Sequence, residues 1–210
     1  MPEVTLEFKL HELLGLLVER TNGQLCGDYL EFGVYHGGSM ACMYRALARM
    51  GLDQVLLFGF DSFEGLPEGA SSQDCGIWHA GQYSCDISIT EDYLATQDVD
   101  LERVTLIKGW FDDTLDRPAV GRHGIRAASV IMIDCDLESS ARAALAFCSP
   151  LIQAQTAILF DDWGTKGLHQ MEKGEKKAFD WFLERNPQLQ VKEMDGYSPT
   201  SRVFVVSREQ

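Results

Sequence analysis

Positive charge is scarce in this chain. Eighteen lysines and arginines stand against 32 aspartates and glutamates, a net charge of −14. So few cations exclude a phosphate-backbone partner, which needs a basic face, and argue equally against an anionic membrane surface. Long apolar runs are missing too: no stretch approaches the ~20 residues of a membrane span. The opening residues, MPEVTLEFKL, lack a basic region followed by an apolar core and a small-residue cleavage site, so no secretory signal is expected. The six cysteines never form C-x-x-C, and without export they are expected as reduced thiols of a cytoplasmic protein. Cys75, His79 and Cys85 lack both a fourth ligand and a close pair, which argues against zinc. A dinucleotide G-x-G-x-x-G is also absent, which weakens a nicotinamide reading.

What is present is enough for one domain with a full core: 210 residues, 45% of them hydrophobic. The chain is organised around 28–47, DYLEFGVYHGGSMACMYRAL. This reads as a short apolar strand over 29–32, a glycine-rich turn over 33–39 and a helix from about residue 40. Glu31 stands near the strand end. Gly33 allows a sharp turn, and Gly37 and Gly38 leave room for a ligand against bare main chain. The free N–H groups of the helix start favour an anionic group there.

The remaining segments follow in order. Leu6, Leu10, Leu13, Leu14 and Leu17 mark one face of a helix over 4–20, ended by Thr21, Asn22 and Gly23. It reads as a helical cap (1–27) or a partner surface. A buried strand over 55–60 ends in Asp61, about 20 to 25 residues beyond the glycine turn, where a ribose-binding acid belongs; a plain turn role is the alternative. Residues 63–100 are read as an irregular lid or binding loop, with Trp78, His79 and Tyr83 over the cleft. A third strand over 104–107 leads to Gly109, Trp110, Asp112 and Asp113, which suit an adenine ring or, for the two acids, a helix cap. A fourth, over 128–133, ends in Asp134-Cys135-Asp136, and strand alternation would put both acids on one side. A fifth, over 157–160, ends in Asp161 and Asp162. An amphipathic helix over 172–185, with Ala178, Phe179, Trp181 and Phe182 inward, precedes strands over 189–193 and 202–207 that form an antiparallel pair.

In this order the motifs resemble class I methyltransferases that use S-adenosylmethionine. More narrowly, EFGVYHGGS, FDSFEGLPE, KGWFDDTL, IDCD, DDW and GEKKAFDWF are similar to the macrocin O-methyltransferase family over about residues 28–206. The resemblance implies an α/β, Rossmann-like class I fold: a mostly parallel seven-stranded sheet with an antiparallel last strand and helices on both faces. It implies that Glu31, Gly33, Tyr35, Gly37 and Ser39 surround the methionine end of the cofactor, that Asp61 and Ser62 hold its ribose, and that Gly109, Trp110 and Asp112 lie near adenine. Asp134, Asp161 and Asp162 would hold magnesium, with Asp134 also beside the cofactor. Asp136 is the first candidate for the base, and His169 and Lys166 are second choices. The acceptor would be a small molecule with adjacent hydroxyls (a sugar, polyol or phenol), and the assembly a homodimer. Metal-independent transfer to oxygen or nitrogen, and a non-catalytic nucleotide-binding module, are the competing readings.

Overall fold

Each apolar run becomes a strand of one sheet. The computed structural model describes residues 3–21, 23, 25 and 27–208. Its strands are β1 (Asp28–Phe32), β2 (Leu57–Asp61), β3 (Val104–Lys108), β4 (Ala128–Ile133), β5 (Ile152–Phe160), β6 (Leu189–Met194) and β7 (Arg202–Arg208). They lie in the order β3-β2-β1-β4-β5-β7-β6. β1 to β5 pair in parallel, and β7 lies antiparallel between β5 and β6. Chain order reverses between β1 and β4, so a crevice opens at their carboxyl ends.

The helices are α1 (Glu3–Arg20), α2 (Gly38–Arg49), α3 (Ile87–Thr96), α4 (Phe111–Thr114), α5 (Arg117–His123), α6 (Glu138–Cys148) and α7 (Gly174–Arg185). The period-two geometry of the strands divides the core. Val130, Met132, Ala157, Leu159, Val203 and Val205 pack with α1 and α2. Their chain neighbours Ile131, Ile133, Ile158, Phe160, Phe204 and Val206 pack with α6 and α7. Strands covered on both faces need apolar residues at every position, which is why these runs are unbroken.

Three expectations change. The leucine face of α1 is used inside the chain: Leu6, Leu10, Leu13, Leu14 and Leu17 are at most 3% exposed, and Glu7 pairs with Arg45 and Arg49 of α2. That face is therefore not a subunit contact. At its end the Thr21 hydroxyl donates to the Leu17 carbonyl at 2.7 Å; Asn22 lies outside the described residues. Second, 63–100 is not irregular throughout. Asp86 caps α3 by accepting from the Ser88 N–H at 2.9 Å, and Thr90 and Leu94 are the buried positions of that helix. Two buried positions are too few to show as a helical period. Third, Trp181 is only half-buried, with the guanidinium groups of Arg142 and Arg185 over its ring.

One buried residue fastens the loop ahead of α3. Asp74 accepts from the Gly174 N–H and from the Glu138 N–H, each at 3.0 Å. A single carboxylate thus caps the first turns of both α7 and α6.

The tightest contact of the sheet is at Gly33, just after β1. Its φ is +89°, and a Cβ there would stand 1.8 Å from the Asp134 carbonyl oxygen. Gly33→Ala is therefore expected to part β1 from β4 and to lower the urea midpoint severely. Gly51→Ala is the control: φ is +65° but nothing lies within 4 Å, leaving only a left-handed cost of about 1–2 kcal/mol. Equal losses in urea denaturation would mean that conformation alone, and not close approach, requires Gly33.

Candidate active site

The crevice between β1 and β4 holds a cavity of about 810 Å³, its walls drawn from the loops after β1 to β5 and from 65–67 and 82–83. The size lies within the ordinary range for ligand pockets.

Its first wall is the glycine turn. Gly33, Tyr35 and Ser39 line the cavity. Gly37 does not; it starts α2 in a left-handed conformation, and no side chain caps the helix. The first amides of α2 are thus left without a side-chain acceptor. Glu31 stands behind this wall. It is fully buried, accepts from the Tyr29 hydroxyl at 2.8 Å and from the Ser39 hydroxyl, and reaches the cavity only through Ser39. Burial pushes its carboxyl up to about 7, against the pull of those two hydrogen bonds.

Asp61 ends β2 and lines the cavity. One of its oxygens accepts from the Val34 and Tyr35 amides at 2.7 and 2.9 Å, and the other from Phe63 at 2.7 Å. The turn role is therefore real: Asp61 holds the glycine turn in shape, and its remaining lone-pair capacity faces the cavity. Ser62 lines it beside Asp61, while Gly109, Trp110 and Asp112 form the adjoining wall after β3. Trp110, not an acid, occupies the N-cap of α4; Asp112 and Asp113 lie in its first turn, where negative charge suits the helix dipole.

The opposite wall is acidic. β4 and β5 end level, with Ile133 beside Phe160, so the next residues, Asp134 and Asp161, emerge as neighbours. One oxygen each from Asp134, Asp161 and Asp162 lie within 4.8 Å of one another. Tyr197 donates to Asp161 at 2.8 Å, and Thr165 to Asp162 at 2.7 Å. Burial, then the Asp161 and Asp162 charges, hold Asp134 well above the carboxylate range. Burial and Asp162 lift Asp161 to about 6. Asp136 is pushed up to about 9 by burial, then by the Asp162 charge and a hydrogen bond with it. Acids this close must share protons or a cation. Three convergent carboxylates are a hard oxygen donor set, and they fit a divalent ion such as magnesium.

Asp136 reaches this wall by a different route from the one expected. β4 stops at Ile133, and Asp136 has a φ of +62°; a turn, not strand alternation, brings it to the cavity. His169 and Lys166 are not among the lining residues. Among the described residues Cys75, His79 and Cys85 do not form a metal-ligand group, and Asp134, Asp161 and Asp162 are the group that does. Tyr83 was expected only as an aromatic cover. It lines the cavity, and burial and then the Asp136 charge raise its phenol, so its hydroxyl senses the acids. Sequence reasoning missed Tyr29, which lies within the quoted 28–47 stretch, and Tyr197, which lies in no quoted motif; a tyrosine hydroxyl aimed at a distant or neighbouring acid leaves no mark in spacing.

Glu31 gives a pH signature. An unfolded glutamate ionises near 4.5, while the folded one holds its proton to about 7. Between those values the folded state binds more protons, so its stability falls as pH rises through that window. Glu31→Gln is expected to flatten this slope; thermal melts from pH 4.5 to 8 check it, and unchanged slopes would exclude Glu31 as the source.

The comparisons with known proteins agree with this geometry. The family model of macrocin O-methyltransferases (TylF) matches residues 7–180. A curated relative from Streptomyces olivaceus, 8-demethyl-8-(2,3-dimethoxy-alpha-L-rhamnosyl)-tetracenomycin-C 4'-O-methyltransferase, is 30% identical over 143 residues, 65% of this chain. The match covers 53% of that relative, so the chain spans about half its length. Among solved structures, the O-methyltransferase NovP superposes with a TM-score of 0.76 at 19% identity, over 96% of this chain and 80% of its own. The O-methyltransferase from Bacillus cereus in complex with SAH gives 0.61 at 15% identity, over 96% and 81%. At such identities the superpositions establish the Rossmann-like class I methyltransferase fold. With the family model matched over most of its length, this chain belongs to the macrocin O-methyltransferase (TylF) family.

Proposed function

We propose that this protein is an S-adenosylmethionine-dependent O-methyltransferase of a small natural product, a single domain over 1–210 with magnesium at its acid wall. One observation carries the reading: a glycine turn with a bare helix start faces three convergent carboxylates across one cavity. The cofactor is further supported by the similar Bacillus cereus structure that contains SAH. A sugar hydroxyl as acceptor is supported by the tetracenomycin relative, whose name describes methylation of a rhamnosyl group.

In this reading Gly33, Tyr35 and Ser39 take the methionine end, Gly37 serves only to start α2 behind them, and Glu31 braces Ser39 from behind. Asp61 and Ser62 take the ribose; Gly109, Trp110 and Asp112 flank the adenine. Asp134, Asp161 and Asp162 hold the metal. When bound, S-adenosylmethionine supplies a methyl group open to in-line displacement, and magnesium supplies a Lewis acid that acidifies a neighbouring hydroxyl. Asp136, beside the three ligands and not one of them, is the base: a cation at the wall would offset the Asp162 charge that helps keep its proton on, and the freed carboxylate would accept the acceptor's proton; His169 is off the cavity wall. Leu66, Pro67 and Tyr83 of the lid cover the site and exclude water. A cytoplasmic homodimer completes the proposal, and light scattering on purified protein reads its mass.

Calorimetric titration of S-adenosylhomocysteine, with magnesium or with EDTA, is the direct test. Micromolar binding is expected, with a separate magnesium heat that disappears when Asp161 and Asp162 are replaced by alanine. No binding by folded protein would overturn the cofactor assignment. Asp136→Asn is expected to slow methyl transfer to vicinal-diol acceptors by about 10²–10⁴-fold while S-adenosylhomocysteine affinity holds. Transfer that survives EDTA would replace this reading with a metal-independent one.

A further inference from the structure

The inward face of α7 is apolar at Ala178, Phe179 and Phe182, but one turn earlier it carries Glu175. Glu175 is 1% exposed, and neither carboxyl oxygen has a hydrogen-bond partner. A buried polar group in this state is unfavourable and needs a reason. Helix capping is not the reason, because Asp74 already accepts from the Gly174 N–H. Ion pairing is not the reason either: the adjacent Lys176 and Lys177 pair with Glu172, Asp180 and Glu138.

Its position gives another reason. Phe179 packs on Phe160 and Trp163, at ring distances of 5.1 and 6.0 Å, and these two residues flank Asp161 and Asp162. Glu175 lies four residues before Phe179, on the same helix face, and side chains lean toward the helix start. It therefore stands against the acid wall. The Asp162 and Asp134 charges, after burial itself, are what most raise its carboxyl, and its charge is the first after burial to raise Cys135, next to Asp134.

The wall lacks one part. Metal-binding carboxylates are held by outer hydrogen bonds. Asp161 has Tyr197, and Asp162 has Thr165. Among the described residues no hydrogen bond to the Asp134 side chain is present. Asp74 accepts from both the Glu138 and the Gly174 N–H, which sets the first turn of α7 against the short turn that begins at Asp134, so the ligand without an outer donor and the buried acid without a partner lie on facing segments.

We propose that Glu175 is a positioning residue that supplies the missing outer hydrogen bond to Asp134 when a divalent cation is bound. The inference rests on the metal site proposed above. A protonated Glu175 is a donor that adds no charge to an already anionic wall, and burial favours that form.

The test is manganese titration of metal-stripped protein by calorimetry, for the wild type, Glu175→Gln and Glu175→Leu, with S-adenosylhomocysteine titrated into each as a control. Glu175→Leu is expected to weaken manganese binding by about 10- to 100-fold, and Glu175→Gln, which keeps a donor, by no more than about threefold. Cofactor-product affinity should hold in all three. Glu175→Met serves if the leucine variant does not fold. Leucine binding manganese as tightly as the wild type would overturn the proposal, as would glutamine failing equally, since then the donor is not what matters. A wild type that binds S-adenosylhomocysteine but no manganese would sink the metal reading itself, and this inference with it.

Discussion

The catalytic edge depends on how closely the backbones after β1 and β4 can approach. Gly33 lies against the Asp134 carbonyl, where a side chain has no room. That contact lets the hydrogen-bond ladder run one residue past the strands: Gly33 donates to Phe60, Asp134 to Phe32, Asp161 to Ile133, and Gly109 to Asp61, at 2.9 to 3.1 Å. The residues that follow the strands are thereby set level with one another. Asp134 and Asp161 meet because the ladder carries them there, and Asp61 reaches back to the glycine turn for the same reason.

Convergence of this kind is destabilising by itself. Asp134, Asp136 and Asp161 all have carboxyls raised by burial and by the charge of Asp162 among their neighbours, and no ion pair with a lysine or arginine relieves them among the described residues. A fold that keeps such a wall spends stability on it, as functional sites commonly do. Across the cavity the logic is reversed: Asp61 is satisfied by three amides, and it holds the turn in one shape before any ligand arrives. One side is made ready by hydrogen bonds; the other keeps its acids crowded together.

Much of this was legible in the residues. Unbroken apolar runs ending in acid showed the strands, and parallel pairing made their ends neighbours, so Asp61, Asp134, Asp161 and Asp162 could be placed on one edge. What stayed hidden depends on tertiary context. Glu175 sits in GEKK, which reads as a solvated helix start, and only the packing of Phe179 turns it inward. α3 has two buried positions and so no visible period. The α1 leucines were clear as a face, but a face does not say what covers it. His169 lies in a segment where Lys166 and Gly167 take left-handed conformations, and such local turns redirect a side chain in ways that spacing cannot anticipate.

The Asp74 clasp has a consequence for the segment that follows it. The segment between it and the Asp86 cap is tied at both ends to the scaffold, through main-chain amides of α6, α7 and α3. Main-chain partners are indifferent to the sequence in between. The side chains of 76–85 are not so indifferent: Tyr83 packs on Tyr35 at 5.9 Å, and the Cys85 thiol lies 3.4 Å from His36 Nδ1 of the glycine turn. A change in this segment is thus felt at the wall after β1 as well as in its own part of the cavity.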